Sequence, residues 1–277
     1  MMTSGRPVGD HLREWRQRRR LSQLDLACEA NISTKHLSFL ETGRSLPSRD
    51  MVLHLADQLE IPLRERNLLL VAAGYAPVFP ERPLSDPALE AARKAIDLVL
   101  AGHEPYPALA IDRHWTLTAA NQAVPRLLAG VAPALLRPPV NVLRLSLHPD
   151  GLAPRIVNLT QWRAHLLDRL RRQIDLTADA FLVTLMAELR AYPLPRQRGP
   201  GMPAAEAIHS GVAVPFQLAS ERGMLSFFST TTVFGTPVDI TLADLALEAF
   251  YPADAATAAL LRSGTEGAER KPPARDA

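Results

Sequence analysis

The stretch LSQLDLACEANISTKHLSFLETGR, residues 21–44, carries the residue types and spacing that point first to chemistry. Two short helices joined by a tight turn need a small residue where they cross, and a turn residue that tolerates the left-handed conformation. They also need apolar residues to lock the second helix. Ala27, Asn31, and Ile32 with Leu37 and Leu40 meet these requirements. The second helix opens on polar side chains able to donate and accept hydrogen bonds at base edges in a DNA groove. The chemistry implied is recognition of DNA, and the remaining two-thirds of the chain is expected to decide when recognition occurs.

The charge distribution agrees. The chain has 277 residues and a net charge of only +2. Residues 1–50 hold nine Lys/Arg against six Asp/Glu, whereas residues 76–277 hold twenty of each. The positive field is confined to the segment where a phosphate backbone would need it. Length suffices for two cores, and 47% apolar with 22% charged residues is a globular composition. No apolar run approaches the roughly 20 residues of a membrane span, and no apolar signal core opens the chain. A cytoplasmic protein without membrane attachment is expected. Cys28 is the only cysteine, which excludes an intrachain disulfide and cysteine-rich zinc sites. It is expected as a solvent-side thiol.

The elements that must position these residues follow from periodicity and caps. Val8, Leu12 and Trp15 share one face of a first helix. Ser22, Ser33 and Ser48 suit the caps of the second to fourth, Pro62 the first turn of a fifth, and Gly74 its stop. An all-α five-helix domain is expected over 1–75, then a semi-extended linker over 76–87, where four prolines bar a helix. A second, α+β domain is expected over 88–262, with a disordered tail over 263–277. Its elements are a helix at 89–102, strands at 107–111 and 115–119, and a helix capped by Asn121. Helices at 156–173 and, after Thr177 as cap, 177–191 come next, then a Pro/Gly-rich stretch at 193–203. Strands at 212–219, 224–234 and 243–251 complete a five-stranded sheet, and Asp254 caps a last helix to Leu261. In the final strand Leu245, Leu247, Ala249 and Tyr251 share one side, with Glu248 on the other.

The N-terminal pattern resembles the phage-repressor or XRE-type helix-turn-helix family over residues 8–75, with Asn31 where that family usually has Gly. The resemblance implies DNA-contacting roles for Gln23, Ser33, Thr34, Lys35, Ser38, Phe39, Arg44 and Arg49. Gln23 meets phosphate or an outer base, Thr34 and Lys35 read bases, and Arg44 and Arg49 clamp phosphates. Phe39 either packs on thymine methyls or belongs to the core. Arg18-Arg19-Arg20 is either a solvated helix end or a phosphate contact. One recognition helix reads only a few base pairs, so a homodimer on a near-palindromic duplex is expected.

The segment DRHWTLTAANQAVPRLL has the strand–turn–strand–helix opening of PAS domains. With NVLRLSLHPDG (141–151), VNLTQWRAHLLDRLRR (157–172) and the stretch 234–262, the chain resembles the MmyB-like group of XRE regulators. That resemblance implies a PAS-like domain with a five-stranded antiparallel sheet and an apolar cavity, for which a long-chain fatty acid is a known type of occupant in the group. The aromatic residues Trp115, Trp162, Phe181, Phe216, Phe227, Phe228 and Phe250 fall on the expected sheet and helices, either as cavity wall or as ordinary core. Arg144, His148, Arg155 and Arg163 are candidates for an anionic head group. No cofactor or metal is expected. No P-loop, G-x-S-x-G or H-E-x-x-H motif is present, and no two of the eight His stand at i, i+4. Two alternatives to the sensor remain: a second domain that only dimerises or binds a protein partner, and an enzyme fused to a DNA-binding module.

Overall fold

The computed structural model describes residues 6–193 and 214–266. They form two compact units. The first comprises the described residues up to Ser85 together with Gln173–Ala178 and Thr236–Ala243, and the second comprises the rest.

The first unit is built on five helices: α1 (Val8–Arg18), α2 (Gln23–Glu29), α3 (Thr34–Glu41), α4 (Arg49–Gln58) and α5 (Leu63–Ala72). Three of them start where a serine can satisfy an orphan backbone N–H. The hydroxyls of Ser22, Ser33 and Ser48 accept from the amides of Asp25, His36 and Met51. Asp25 returns the bond by accepting from the Ser22 amide at 2.8 Å, completing a capping box. Pro62 stands one residue before α5, in extended conformation, rather than inside its first turn. Gly74, at φ +87°, ends α5 as the sequence predicts.

Leu12, Leu26, Leu37, Leu40, Leu55 and Leu70 are fully buried in one core. Gly9 sets how closely α1 approaches α3. A Cβ at that position would lie 2.4 Å from the Leu40 carbonyl oxygen, so only glycine permits the packing. The proline-rich segment is held along its length rather than hanging free. The Asn67 side chain accepts from the amides of Val78 and Phe79 and donates to the Phe79 carbonyl. Arg64 pairs with Glu81, and Arg82 pairs with the buried carboxylate of Asp239 at 3.1 Å.

The second unit contains α6 (Glu90–Gly102), β1 (Ala108–Ile111), β2 (Leu117–Ala120), α7 (Ala123–Leu127), α8 (Val142–Leu147), most of α9 (Leu159–Thr177) and α10 (Ala180–Ala191). It continues with β3 (Phe216–Ser220) and β4 (Gly223–Val233). After α11 (Ile240–Ala243), which belongs to the first unit, it closes with β5 (Ala246–Pro252) and α12 (Ala255–Glu266). The strands form one antiparallel sheet in the order β2-β1-β5-β4-β3, with β5 paired between β1 and β4. The five-helix unit followed by a five-stranded antiparallel sheet with helices is the fold class read from the sequence.

Several boundaries differ, each for a local reason. Trp115 is not in a strand but in the β1–β2 turn, at φ +64°. The Asp112 carboxylate organises that turn by accepting from the amides of His114 and Thr116. Asn121 does not cap a helix. Its buried side chain accepts from the Ala108 amide and donates to the carbonyls of Leu100 and Tyr106, tying α6 to β1.

Thr177 lies inside α9, donating to the Gln173 carbonyl, and Asp179 caps α10 in its place. The expected strand 243–251 starts later because the Asp239 carboxylate caps α11 through the Thr241 amide. The expected strand 212–219 is described only from residue 214, and β3 begins at Phe216. The Pro/Gly-rich stretch beyond residue 193 lies outside the described residues. So does the tail beyond 266, and α12 runs past Leu261 to Glu266.

Candidate DNA-reading surface and ligand cavity

In the first unit, α2 and α3 cross at Ala27, which is 1% exposed, and the chain turns through Asn31 at φ +51°. The Ile32 amide returns to the Ala27 carbonyl at 2.9 Å. The turn fixes which face of α3 stays free. Leu37 and Leu40 point into the core; Lys35 is exposed, and Thr34, Ser38 and Phe39 are half-buried. Phe39 is not part of the core cluster. The Lys35 ammonium lies 5.6 Å and the Arg44 guanidinium 5.8 Å from its ring centroid. One aromatic ring on α3 is therefore flanked by two cations, Lys35 on the same helix and Arg44 beyond its end. Arg44 and Arg49 are exposed in the following loop and at the start of α4.

Gln23 is placed differently from its expected role. Its Nε2 donates to Glu41 Oε2 at 2.8 Å, so the side chain is turned toward the helix pair. Ser33 caps α3. Glu41 is the hub beneath this surface. Its side chain is fully buried and accepts from Arg16 Nε at 2.6 Å and Arg16 Nη2 at 2.9 Å, a bidentate pair. Burial pushes the Glu41 carboxyl up, but the bonds from Arg16 and Gln23 outweigh it and hold the group below the usual glutamate range. Of the arginine run, Arg18 pairs with Glu14 and Arg19 donates to the Leu59 and Glu60 carbonyls. Arg19 thus caps the C-terminal end of α4, where a cation also opposes the helix dipole.

The second unit holds a cavity of about 100 Å³, partly open to solvent. Its wall is nearly all apolar, drawn from both ends of the chain's fold: Leu109 and Leu117 on β1 and β2, Leu143 on α8, Leu166 on α9, Phe216 on β3 and Phe250 on β5. The Trp162 indole N–H, also in the wall, is satisfied by the Ser146 hydroxyl at 2.9 Å. Among the described residues the lining carries two charged side chains, Arg169 and Glu248. Arg169 Nη2 donates to Glu248 Oε1 at 2.5 Å and to Thr231 Oγ1 at 3.1 Å. The guanidinium lies over the Trp115 ring, 4.9 Å from its centroid. A tryptophan in the left-handed region is strained. Here the turn directs the ring into the cavity wall beneath Arg169.

Three expected ligand-binding residues, Trp115, Trp162 and Phe216, line this cavity. Four others lie elsewhere. Phe181 is 39% exposed and packs on His114. Phe228 is 40% exposed and stacks on Tyr251. Arg144 is held by Glu188 in a bidentate pair. Arg155 donates to the carbonyls of Leu127, Ala129 and Ala219. Of the further head-group candidates, Arg163 caps the C-terminal carbonyls of α10 and His148 packs on Tyr192. The cations picked for a head group thus hold backbone or carboxylates outside the cavity.

Arg169 and Glu248 escaped sequence reasoning, although a signal existed. Trp162, Leu166 and Arg169 stand at i, i+4 and i+7, which puts the arginine on the apolar stripe of α9. Glu248 stands two residues before Phe250 and shares its strand face. It is 4% exposed, whereas the reading set it apart from the apolar side of the strand.

Comparison with known proteins places both halves. Residues 92–263 match the MmyB-like transcription regulator ligand binding domain. The chain belongs to this family. Residues 7–69 match a helix-turn-helix domain. A curated relative, the uncharacterized HTH-type transcriptional regulator RghRB of Bacillus subtilis (strain 168), is 37% identical over 76 residues. That match covers 27% of this chain and 52% of the relative, so the chain spans about half the length of the curated relative it matches. Among solved structures, an RNA-binding light-oxygen-voltage receptor aligns over 96% of this chain and 65% of its own at 13% identity. Its TM-score of 0.27 carries no argument. The chain thus carries a helix-turn-helix domain followed by a ligand-binding domain of the MmyB-like transcription regulator family. No helix among its described residues is long and apolar enough to cross a membrane.

Proposed function

We propose that the second unit senses an apolar small molecule and that its occupancy sets how the first unit engages DNA. The observation that carries this is the cavity: an apolar wall of about 100 Å³ of space interrupted by one ion pair. A second domain that served only dimerisation would be expected to pack solid, at the density of ordinary protein interiors. A long-chain fatty acid is the occupant that the family resemblance implies. An apolar cavity of roughly 150 Å³ admits benzene, so a long chain fills this space and widens it or runs out through its open side. A ligand that binds one arrangement of the wall better than another shifts the population by that difference in affinity.

The route to DNA is covalent. β5 supplies Glu248 and Phe250 to the cavity, and the β4–β5 connection carrying α11 is part of the first unit. On this reading the MmyB-like protein acts as a homodimer on a near-palindromic duplex, with Thr34, Lys35, Ser38 and Phe39 facing bases and Arg44 and Arg49 facing phosphates.

Organic-solvent extraction of purified protein, followed by mass spectrometry, tests the ligand reading. A stoichiometric apolar compound is the expected result. An empty extract, together with no thermal stabilisation by medium-chain amphiphiles, would contradict it.

A further inference from the structure

We infer that Phe39 reads the C5-methyl group of a pyrimidine in the major groove, so that the protein favours thymine or 5-methylcytosine at that position over unmethylated cytosine. This deepens the DNA-reading surface proposed above and rests on it. The position of the ring carries the inference. Leu37 and Leu40 turn into the core, and two residues beyond Leu37 a helix has rotated roughly 200°. Phe39 thus stands with Lys35 on the side of α3 opposite the core. It belongs neither to the core cluster nor to the half-buried residues packed on it. No other large apolar side chain of α3 lies outside the core. Its surroundings set its direction. The amides of Arg44 and Ser45 donate to the Phe39 carbonyl at 2.9 and 3.2 Å, folding the loop back on α3, and the Lys35 and Arg44 cations flank the ring.

A phenyl ring on a groove-facing surface needs an apolar partner on the duplex. Hydrogen-bond donors and acceptors fill the major-groove edges of the bases, and the apolar group among them is the C5-methyl of thymine. 5-Methylcytosine carries the same methyl on the same ring carbon, whereas cytosine presents only a hydrogen there. Burying one methyl group is worth about fourfold in affinity. Lys35 and Phe39 are one turn apart, about 6 Å along the helix, against a rise of about 3.4 Å per base. The methyl therefore lies within about two base pairs of the base that Lys35 contacts. Once Lys35 turns to its base and Arg44 to a phosphate, the ring they flank is left to the methyl.

The test uses the full chain and a duplex selected from a random pool, with affinities read by fluorescence anisotropy. Each thymine is replaced singly by uracil, which keeps the pairing edge and removes only the methyl. A thymine within about two base pairs of the base whose preference Lys35→Ala relaxes should then lose about fourfold per half-site. At that position 5-methylcytosine should bind about fourfold more tightly than cytosine, and Phe39→Ala should bring both ratios below about twofold. Uracil tolerated at every position, or ratios unchanged in Phe39→Ala, would overturn the inference while the helix-turn-helix still reads DNA. Selection of no preferred duplex would remove the DNA-reading surface and this inference with it. If Phe39→Ala does not fold, the uracil and methylcytosine ratios on the unaltered protein decide alone.

Discussion

Glu41→Ala is expected to lower the stability of the N-terminal unit by about 3–5 kcal/mol, the usual cost of leaving one partner of a buried ion pair alone. The magnitude follows from geometry. The Glu41 side chain is fully buried at the end of α3 and binds Arg16 of α1 and Gln23 of α2. Removing the carboxylate strands the Arg16 guanidinium, whose side chain is 11% exposed, and frees the first residue of α2. Thermal unfolding with and without duplex DNA measures the loss, and DNA binding should fall with it. A variant within about 0.5 kcal/mol of the parent would show that water reaches the site and that the pair does not organise the helices.

The same residue gives a pH dependence. Burial raises the Glu41 carboxyl, but the bonds from Arg16 and Gln23 lower it further, so its folded value lies below its unfolded one. A depressed carboxylate contributes stability that is fully present above the unfolded value, about 4.3, and is lost as pH falls through the folded value. The N-terminal unit should therefore weaken below about pH 4, and Glu41→Gln should flatten that limb.

Lys35→Ala and Arg44→Ala should separate specificity from affinity. Both cations flank Phe39, yet they sit on different elements. Lys35 is in the first turn of α3, the end that enters the major groove in helix-turn-helix proteins. Arg44 lies in the loop after α3 and suits a phosphate. Loss of Lys35 should cost about 1–3 kcal/mol of discrimination at one base position. Loss of Arg44 should weaken all duplexes alike and reduce the slope of log affinity against log salt by about one. Titrations of selected and scrambled duplexes at two salt concentrations read both effects. Equal loss on both duplexes for Lys35→Ala would remove it from the base-reading set.

The N-terminal unit was legible because its information is local. Ser22, Ser33 and Ser48 cap the helices that follow them, and Asn31 takes the left-handed turn that its side chain tolerates. The cavity was legible only in part. Trp115, Trp162 and Phe216 reach it, but facing depends on register, which the β1–β2 turn shifts by placing Trp115 outside the strand. The head-group candidates are basic residues whose partners the sequence does not show. Arg144, Arg155 and Arg163 are spent on Glu188 and on backbone carbonyls, partners far away in sequence. Gln23 was missed as a structural residue for the same reason, since Glu41 lies eighteen positions on. Glu248 falls, by strand alternation, opposite Leu245, Leu247, Ala249 and Tyr251, and only its partner Arg169, on another element, shows that this opposite side is buried too.

The most direct test of the account is DNA affinity measured by fluorescence anisotropy, on a duplex selected from a random pool, across a titration with the compound extracted from the protein or, failing one, with a medium-chain fatty acid such as octanoate. The account predicts a shift of about fivefold or more at saturation, the range of ordinary allosteric coupling. It predicts no shift in Val124→Phe, which fills the cavity from its wall. An affinity unchanged by a ligand shown to bind, or an equal shift in the filled variant, would contradict the claim that the cavity controls DNA reading.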